Sequence, residues 1–350
     1  MTINHRTLGI AAVLSVTCAA AGYFGMRSAH ADVHAGMVWI RGGDFLMGSD
    51  SKLARPNEGP TFTAHVDGFW MDETDVTNAQ FSAFVHATGY VTTAERAPDL
   101  NELRAQMAPD AQLPDASQLV PASMVFVGTS VAVPLDDWSR WWHLVPGADW
   151  RHPQGPASSI AGKDDHPVVQ VSYRDAQEYA RWAGKRLPTE AEWEFAARGG
   201  LTQADYAWGG DSKPGQRMAN TYAAPGAFPV VKPEYRALVG TSPVRSFAPN
   251  AYGLYDITGN VWQWTADWYR ADQFRRVAGN GRVVNPAGPA DSYDPDDHSA
   301  PAAAPKRVIR GGSFLCDESY CRSARPSARR GNDPANPMSH IGFRLVADRS

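Results

Sequence analysis

Apolar residues recur at helical spacing in three short stretches of this chain. Phe81, Phe84 and Val85 stand at i, i+3 and i+4, and Thr77 precedes them as a cap, which predicts a helix running to His86. Ala176, Tyr179, Ala180 and Ala183 form a second stripe; Ser172, with Asp175 at N3, starts it and Gly184 stops it. Thr189 and Glu192 make a T-x-x-E capping box ahead of a third helix, with Trp193, Ala196 and Ala197 on one face and Gly199 at its end. Trp182, Trp193 and Phe195 read as core packing. Near the amino end, Val38-Trp39-Ile40 and Phe45-Leu46-Met47-Gly48 flank Arg41-Gly42-Gly43, which predicts two short strands around a glycine turn. Residues 97–137 and 285–305 read as loops. The second is stiffened by prolines and carries Asp291, Asp294, Asp296 and Asp297, a solvated surface segment by composition. No repeat, heptad or linker divides the rest, so residues 36–347 read as one domain.

Composition sharpens this picture. Of 350 residues, 43% are hydrophobic and 20% charged, enough apolar content to bury a core, so wholesale disorder is excluded. With 31 Gly, 26 Pro and 12 Trp, the chain favours an irregular, loop-rich fold with aromatic packing over a helix bundle. Lys and Arg number 33 against 37 Asp and Glu, so no basic excess points to nucleic acid. At the amino terminus, His5 and Arg6 precede an uncharged apolar run from Leu8 to Gly22, and Ala29-His30-Ala31 offers a cleavage site. Residues 1–31 have the layout of an export signal, which predicts a periplasmic or secreted protein. The run falls short of the roughly 20 residues of a membrane span; an uncleaved amino-terminal anchor is the alternative.

Cleavage would leave two cysteines, Cys316 and Cys321, in a C-x4-C spacing after Arg310-Gly311-Gly312-Ser313. A structural disulfide is the default for two cysteines in an exported chain. Structural zinc needs four ligands, and no second pair exists. Copper(I) is the third option, because two soft thiolates can hold it at low coordination and leave room for another thiolate.

Around that pair the chain resembles the formylglycine-generating enzymes, or sulfatase-modifying factors. The likeness rests on Thr77-Asn78-Ala79-Gln80-Phe81, Gly147-Ala148-Asp149-Trp150-Arg151-His152-Pro153, Arg186-Leu187-Pro188-Thr189-Glu190-Ala191-Glu192-Trp193-Glu194, Gly259-Asn260-Val261-Trp262-Gln263-Trp264, Arg310-Gly311-Gly312-Ser313 and Gly342-Phe343-Arg344. The Glu190, Trp262 and Phe343 stretches mark a whole superfamily and give fold alone. The Gly147–Pro153 stretch and the cysteine pair resemble the oxygen- and copper-dependent branch.

The resemblance implies an α+β fold, a single irregular domain of the C-type-lectin-like kind with little regular secondary structure. It implies an oxidase that uses O2 and Cu(I), held by Cys316 and Cys321, to turn a cysteine in a C-x-P-x-R type segment of an unfolded sulfatase into Cα-formylglycine. Ser313 would be a polar group of the active site and Trp262 a wall of its cavity. The likeness also implies Ca2+ at Asp256, Gly259, Val261 and Gln263, where relatives often carry Asn and Glu in place of Asp256 and Gln263. A second calcium site would begin at Asn220 and Thr221, but its usual acid falls near Arg236. His340 stands where some relatives have Asn, and either can donate to a substrate group. A noncatalytic binding module, or another oxidase on the same scaffold, is the competing reading.

Overall fold

Three capping boxes start the longer helices of the computed structural model, which describes residues 34–210, 217–317 and 319–349. Residues 1–31, read above as an export signal, lie outside the described residues. Chain order gives β1 (Met37–Ile40), β2 (Gly43–Met47), β3 (Phe62–Val66), β4 (Phe69–Asp72), α1 (Asn78–Thr88), α2 (Leu100–Ala105), β5 (Ala122–Phe126) and β6 (Trp142–Pro146). Next come α3 (Tyr173–Trp182), α4 (Glu190–Arg198), β7 (Trp262–Trp268), α5 (Gln273–Val277), β8 (Val283–Val284), β9 (Arg307–Arg310), β10 (Arg329–Asn332), β11 (Ile341–Gly342) and β12 (Val346–Ala347). This is an α+β fold in which long irregular segments join short elements.

The helix boundaries follow from local chemistry. Thr77, Ser172 and Thr189 side chains each accept a hydrogen bond from the backbone N–H three residues on, and the Gln80, Asp175 and Glu192 side chains in turn accept one from the cap backbone N–H. Gly89 and Gly199 end α1 and α4 in the left-handed conformation.

The two amino-terminal strands form as predicted but are not partners. β1 pairs with β4, while β2 pairs with β3. A Cβ on Gly42 would stand 2.3 Å from the Val66 carbonyl oxygen, so only glycine lets the chain cross between the two sheets there. Residues 97–137 are not loop throughout, because β5 lies within them and pairs with β6. In the 285–305 segment Asp294 and Asp297 both hold the Lys306 ammonium, at 2.7 and 2.5 Å, so these two acids are anchored. Trp193 and Phe195 are core residues, but Trp182 is 45% exposed: it caps the Phe84 and Tyr179 rings from outside.

The sheet that matters for function has the order β10-β9-β7-β11. Helix α4 packs against it through charge as well as apolar surface. The Arg310 guanidinium, fully buried, bonds Glu190 at 2.7 Å and Glu194 at 2.6 Å, and Arg329 bonds Glu190 at 2.6 Å. Glu190 and Glu194, two of the three glutamates of the R-L-P-T-E-A-E-W-E motif, are thus the counter-ions of Arg310 on β9 and Arg329 on β10. Trp193 between them donates to the Gln263 carboxamide oxygen on β7 at 2.7 Å.

Candidate active site

Arg310, clamped by α4, sets the starting point of the cysteine loop. Gly311 and Gly312 follow with φ of +93° and +71°. A Cβ on Gly312 would lie 2.7 Å from the Ser323 carbonyl carbon, so the turn needs glycine. The chain then folds back through two tight turns, in which Cys316 N–H donates to the Ser313 carbonyl and Cys321 N–H to the Asp317 carbonyl, both at 2.9 Å. Cys316 and Cys321 end with Cα atoms 4.7 Å apart and their sulfurs joined as a disulfide. Both are buried, at 5% and 6% exposure.

Ser313 and His340 complete the immediate surroundings. The Ser313 backbone N–H points at the Cys316 sulfur (3.3 Å), and its hydroxyl accepts from the Leu315 N–H and shares a hydrogen with His340 Nδ1 at 3.1 Å. His340 arrives from the far end of the chain. The parallel pairing of β11 with β7 sets Ile341 opposite Trp262, and the Trp262 N–H donates to the His340 carbonyl at 2.9 Å. Burial pushes the His340 imidazole down to about 3, helped by the Arg330 charge, so the ring is neutral at physiological pH.

Ser313, Cys321 and His340 line a cavity of about 390 Å³, within the usual range for a ligand site. Trp262, Trp142, Phe228, Met338 and Tyr320 give it aromatic and apolar walls. Trp262 is 2% exposed, and Trp142 sets its ring edge against His340. Asp297, Asp333 and Lys306 also border it, and burial lifts the Asp333 carboxyl to about 6.

The sulfatase-modifying factor enzyme 1-like domain family matches residues 25–349. The chain belongs to this family. The formylglycine-generating enzyme of Thermomonospora curvata is 45% identical to it, over 92% of this chain and 96% of that one. That of Mycobacterium tuberculosis is 46% identical over 89% and 97% respectively. Among solved structures, PvdO from Pseudomonas aeruginosa matches with a TM-score of 0.55 and 24% identity, covering 89% of this chain and 94% of that one, a likeness of fold.

Two metals are implied by this family, and the residues fit them unequally. Two buried thiol sulfurs held side by side suit a soft monovalent ion once the disulfide is reduced. No group of three or more His, Cys, Asp and Glu converges elsewhere among the described residues. For calcium, Asp256 fits. Its Oδ1 is buried without a partner beside a cavity of about 60 Å³, while Oδ2 accepts from Arg245 N–H at 2.7 Å. Burial raises the Asp256 carboxyl above its usual range. A Cβ on Gly259, whose φ is +83°, would stand 2.7 Å from the Asn220 carbonyl oxygen, and Val261 is fully buried. Gln263 does not fit as a ligand, because its oxygen already accepts from Trp193 Nε1 at 2.7 Å and Arg344 Nε at 2.9 Å. The second calcium set does not fit either. Asn220 Oδ1 and the Thr221 carbonyl both accept from Arg217 Nη2, at 3.1 and 3.0 Å, so a guanidinium occupies both oxygens.

Sequence reasoning singled out Ser313, Trp262, Cys316 and Cys321; the structure brings Ser313, Trp262 and Cys321 to one cavity, with Cys316 behind them against the Ser313 N–H. It passed over Trp142, Phe228, Tyr320 and Arg330 as site residues. Apart from Tyr320, which lies inside the C-x4-C loop, they come from segments with no chemical signature of their own.

Proposed function

We propose that this chain converts a cysteine of a C-x-P-x-R type segment in an unfolded sulfatase to Cα-formylglycine, with O2 as oxidant and Cu(I) held by reduced Cys316 and Cys321. The observation that carries this reading is the cysteine pair set beside a cavity of about 390 Å³, next to Ser313 and a neutral His340. The substrate cysteine loses two electrons and two protons, one from Cβ, and O2 accepts them. Water then replaces sulfur at Cβ, and sulfur leaves as hydrogen sulfide.

Copper, when bound, supplies the oxygen and single-electron chemistry that side chains lack. The rest falls to the chain itself. Cys316 and Cys321 are the soft donors, and in the disulfide form they bind no metal, so activity requires their reduction. The Ser313 N–H directed at the Cys316 sulfur stabilises negative charge there. Neutral His340, linked to the Ser313 hydroxyl, orients that hydroxyl toward the cavity as a hydrogen-bonding group; a ring pushed down to about 3 is too weak a base to take a thiol proton. Trp262, Trp142 and Phe228 exclude bulk water and accommodate an extended segment. Asp256 is the residue through which calcium would bind, tying the loop before β7 in place. If residues 1–31 direct export, the reaction takes place outside the cytoplasm, on chains still unfolded after crossing the membrane.

The deciding experiment incubates the reduced, copper-loaded protein with a C-x-P-x-R peptide in air. Mass spectrometry should show thiol replaced by aldehyde, and Cys316→Ala and Cys321→Ala should abolish both copper binding and conversion. Conversion that persists in either variant would falsify the assignment.

A further inference from the structure

Among the described residues, no carboxylate pairs with one cation of the cavity. Arg330 follows Arg329 on β10, and strand alternation sends the two side chains to opposite faces. Arg329 turns to Glu190 and is paired through Nε at 2.6 Å and Nη2 at 2.9 Å. Arg330 turns into the cavity, with its guanidinium carbon 5.8 Å from the centre of the Trp262 ring. Among the described residues its side chain has no ion pair and no hydrogen bond, and its Nε is buried without a partner.

Its charged neighbours do not neutralise it. Arg55 is a second cation, with Nη2 already bonded to the Tyr320 and Cys321 carbonyls at 3.2 and 3.1 Å. Glu58 is taken by Arg325, at 2.9 and 2.6 Å, and by Ser327 at 2.8 Å. Of the two carboxylates that border the cavity, Asp297 is engaged by Lys306 at 2.5 Å and Asp333 accepts from the Ala335 N–H at 2.9 Å, with no bond to Arg330. Burial pushes the Arg330 guanidinium down to about 10, with Arg55 acting the same way, so it remains charged at physiological pH. A half-buried cation without a counter-ion is costly to keep. One that faces a ligand cavity is set up for an anion that arrives from outside, and the planar guanidinium matches a carboxylate in two-point geometry.

We propose that Arg330 forms a subsite for a carboxylate on the substrate segment, supplied by an acidic side chain close to the cysteine being modified. This deepens the reading given above and rests on it: the chain would prefer sulfatase segments with Asp or Glu beside the modified position.

The test separates binding from chemistry. Amidated C-x-P-x-R type peptides with Ser in place of the Cys carry Asp, or Asn in matched partners, at each position flanking that residue. Fluorescence anisotropy measures their affinity for the full, reduced chain. Asp at one position should bind about tenfold tighter than Asn to wild type. That preference should vanish in Arg330→Gln and Arg330→Met and survive in part in Arg330→Lys. Equal binding of all Asp and Asn partners by wild type, or a preference that persists in Arg330→Gln, overturns the subsite. A matched set with a free carboxy terminus tests the other source of the same group; a gain for the free terminus that is lost in Arg330→Gln supports the subsite with the chain end as its ligand. Turnover of the corresponding Cys peptides then distinguishes the two claims. Conversion without an Asp preference removes the subsite and leaves the oxidase. An Arg330-dependent Asp preference without any conversion removes the oxidase and leaves an anion site.

Discussion

Ser313 and His340 lie 27 residues apart and meet through a single hydrogen bond of 3.1 Å beside the cysteine pair. One is placed by the glycine turn after β9, the other by the parallel pairing of β11 with β7. Removing the hydroxyl leaves His340 Nδ1 without that partner in a buried site. Ser313→Ala should therefore lower kcat about tenfold or more while changing KM little. Steady-state kinetics with a Cys peptide checks this, and a pure KM effect would show that Ser313 only binds substrate.

The depressed His340 makes a pH prediction. Its folded value lies near 3 against an ordinary 6.5, so the unfolded chain takes up a proton first as pH falls. The stability tied to a neutral His340 is complete above 6.5 and drains away toward about 3. Urea unfolding at neutral and mildly acidic pH should show wild type losing stability relative to His340→Gln on acidification. Arg330→Gln should shrink that difference by removing a nearby positive charge. A constant gap between wild type and His340→Gln would mean the ring is not buried neutral.

Glu190 tests the frame under the site. Burial pushes its carboxyl up, but Arg329 and Arg310 outweigh burial and hold it below the usual range. Glu190→Ala leaves two buried guanidinium groups short of a partner and should cost about 3–5 kcal/mol in denaturant unfolding. The pair's contribution is present above the ordinary glutamate value of 4.5 and is lost as pH falls below it. A loss under about 1 kcal/mol would show that the network relaxes around the missing anion.

Calcium stoichiometry tests the two family sites separately. The Asp256 site has a free carboxylate oxygen, whereas Arg217 covers both oxygens at Asn220 and Thr221. Elemental analysis should find no more than one calcium per chain, lost in Asp256→Ala and unchanged in Asn220→Ala. Two ions per wild-type chain would mean that Arg217 swings away.

What was legible without coordinates is what short-range chemistry encodes. The three capping boxes at Thr77, Ser172 and Thr189 each involve groups three residues apart, so the residues themselves state the geometry. The glycine turn and the C-x4-C loop are local in the same way, so the cysteine pair stands out in the chain by itself, whereas Ser313 and Trp262 were singled out through the family resemblance. Long-range partnership was not legible. Nothing local says that β1 and β2 join different sheets, that β5 forms inside a stretch of mixed polarity, or that Trp182 stays near the surface. Nor does the chain declare that Gln263 and Asn220 have their oxygens claimed by Arg344 and Arg217, or that Arg329 finds a carboxylate while Arg330 beside it finds none among the described residues. A charge does not choose its partner by spacing. The partner is whichever group the packed backbone brings within reach, and that depends on all the contacts of the fold at once.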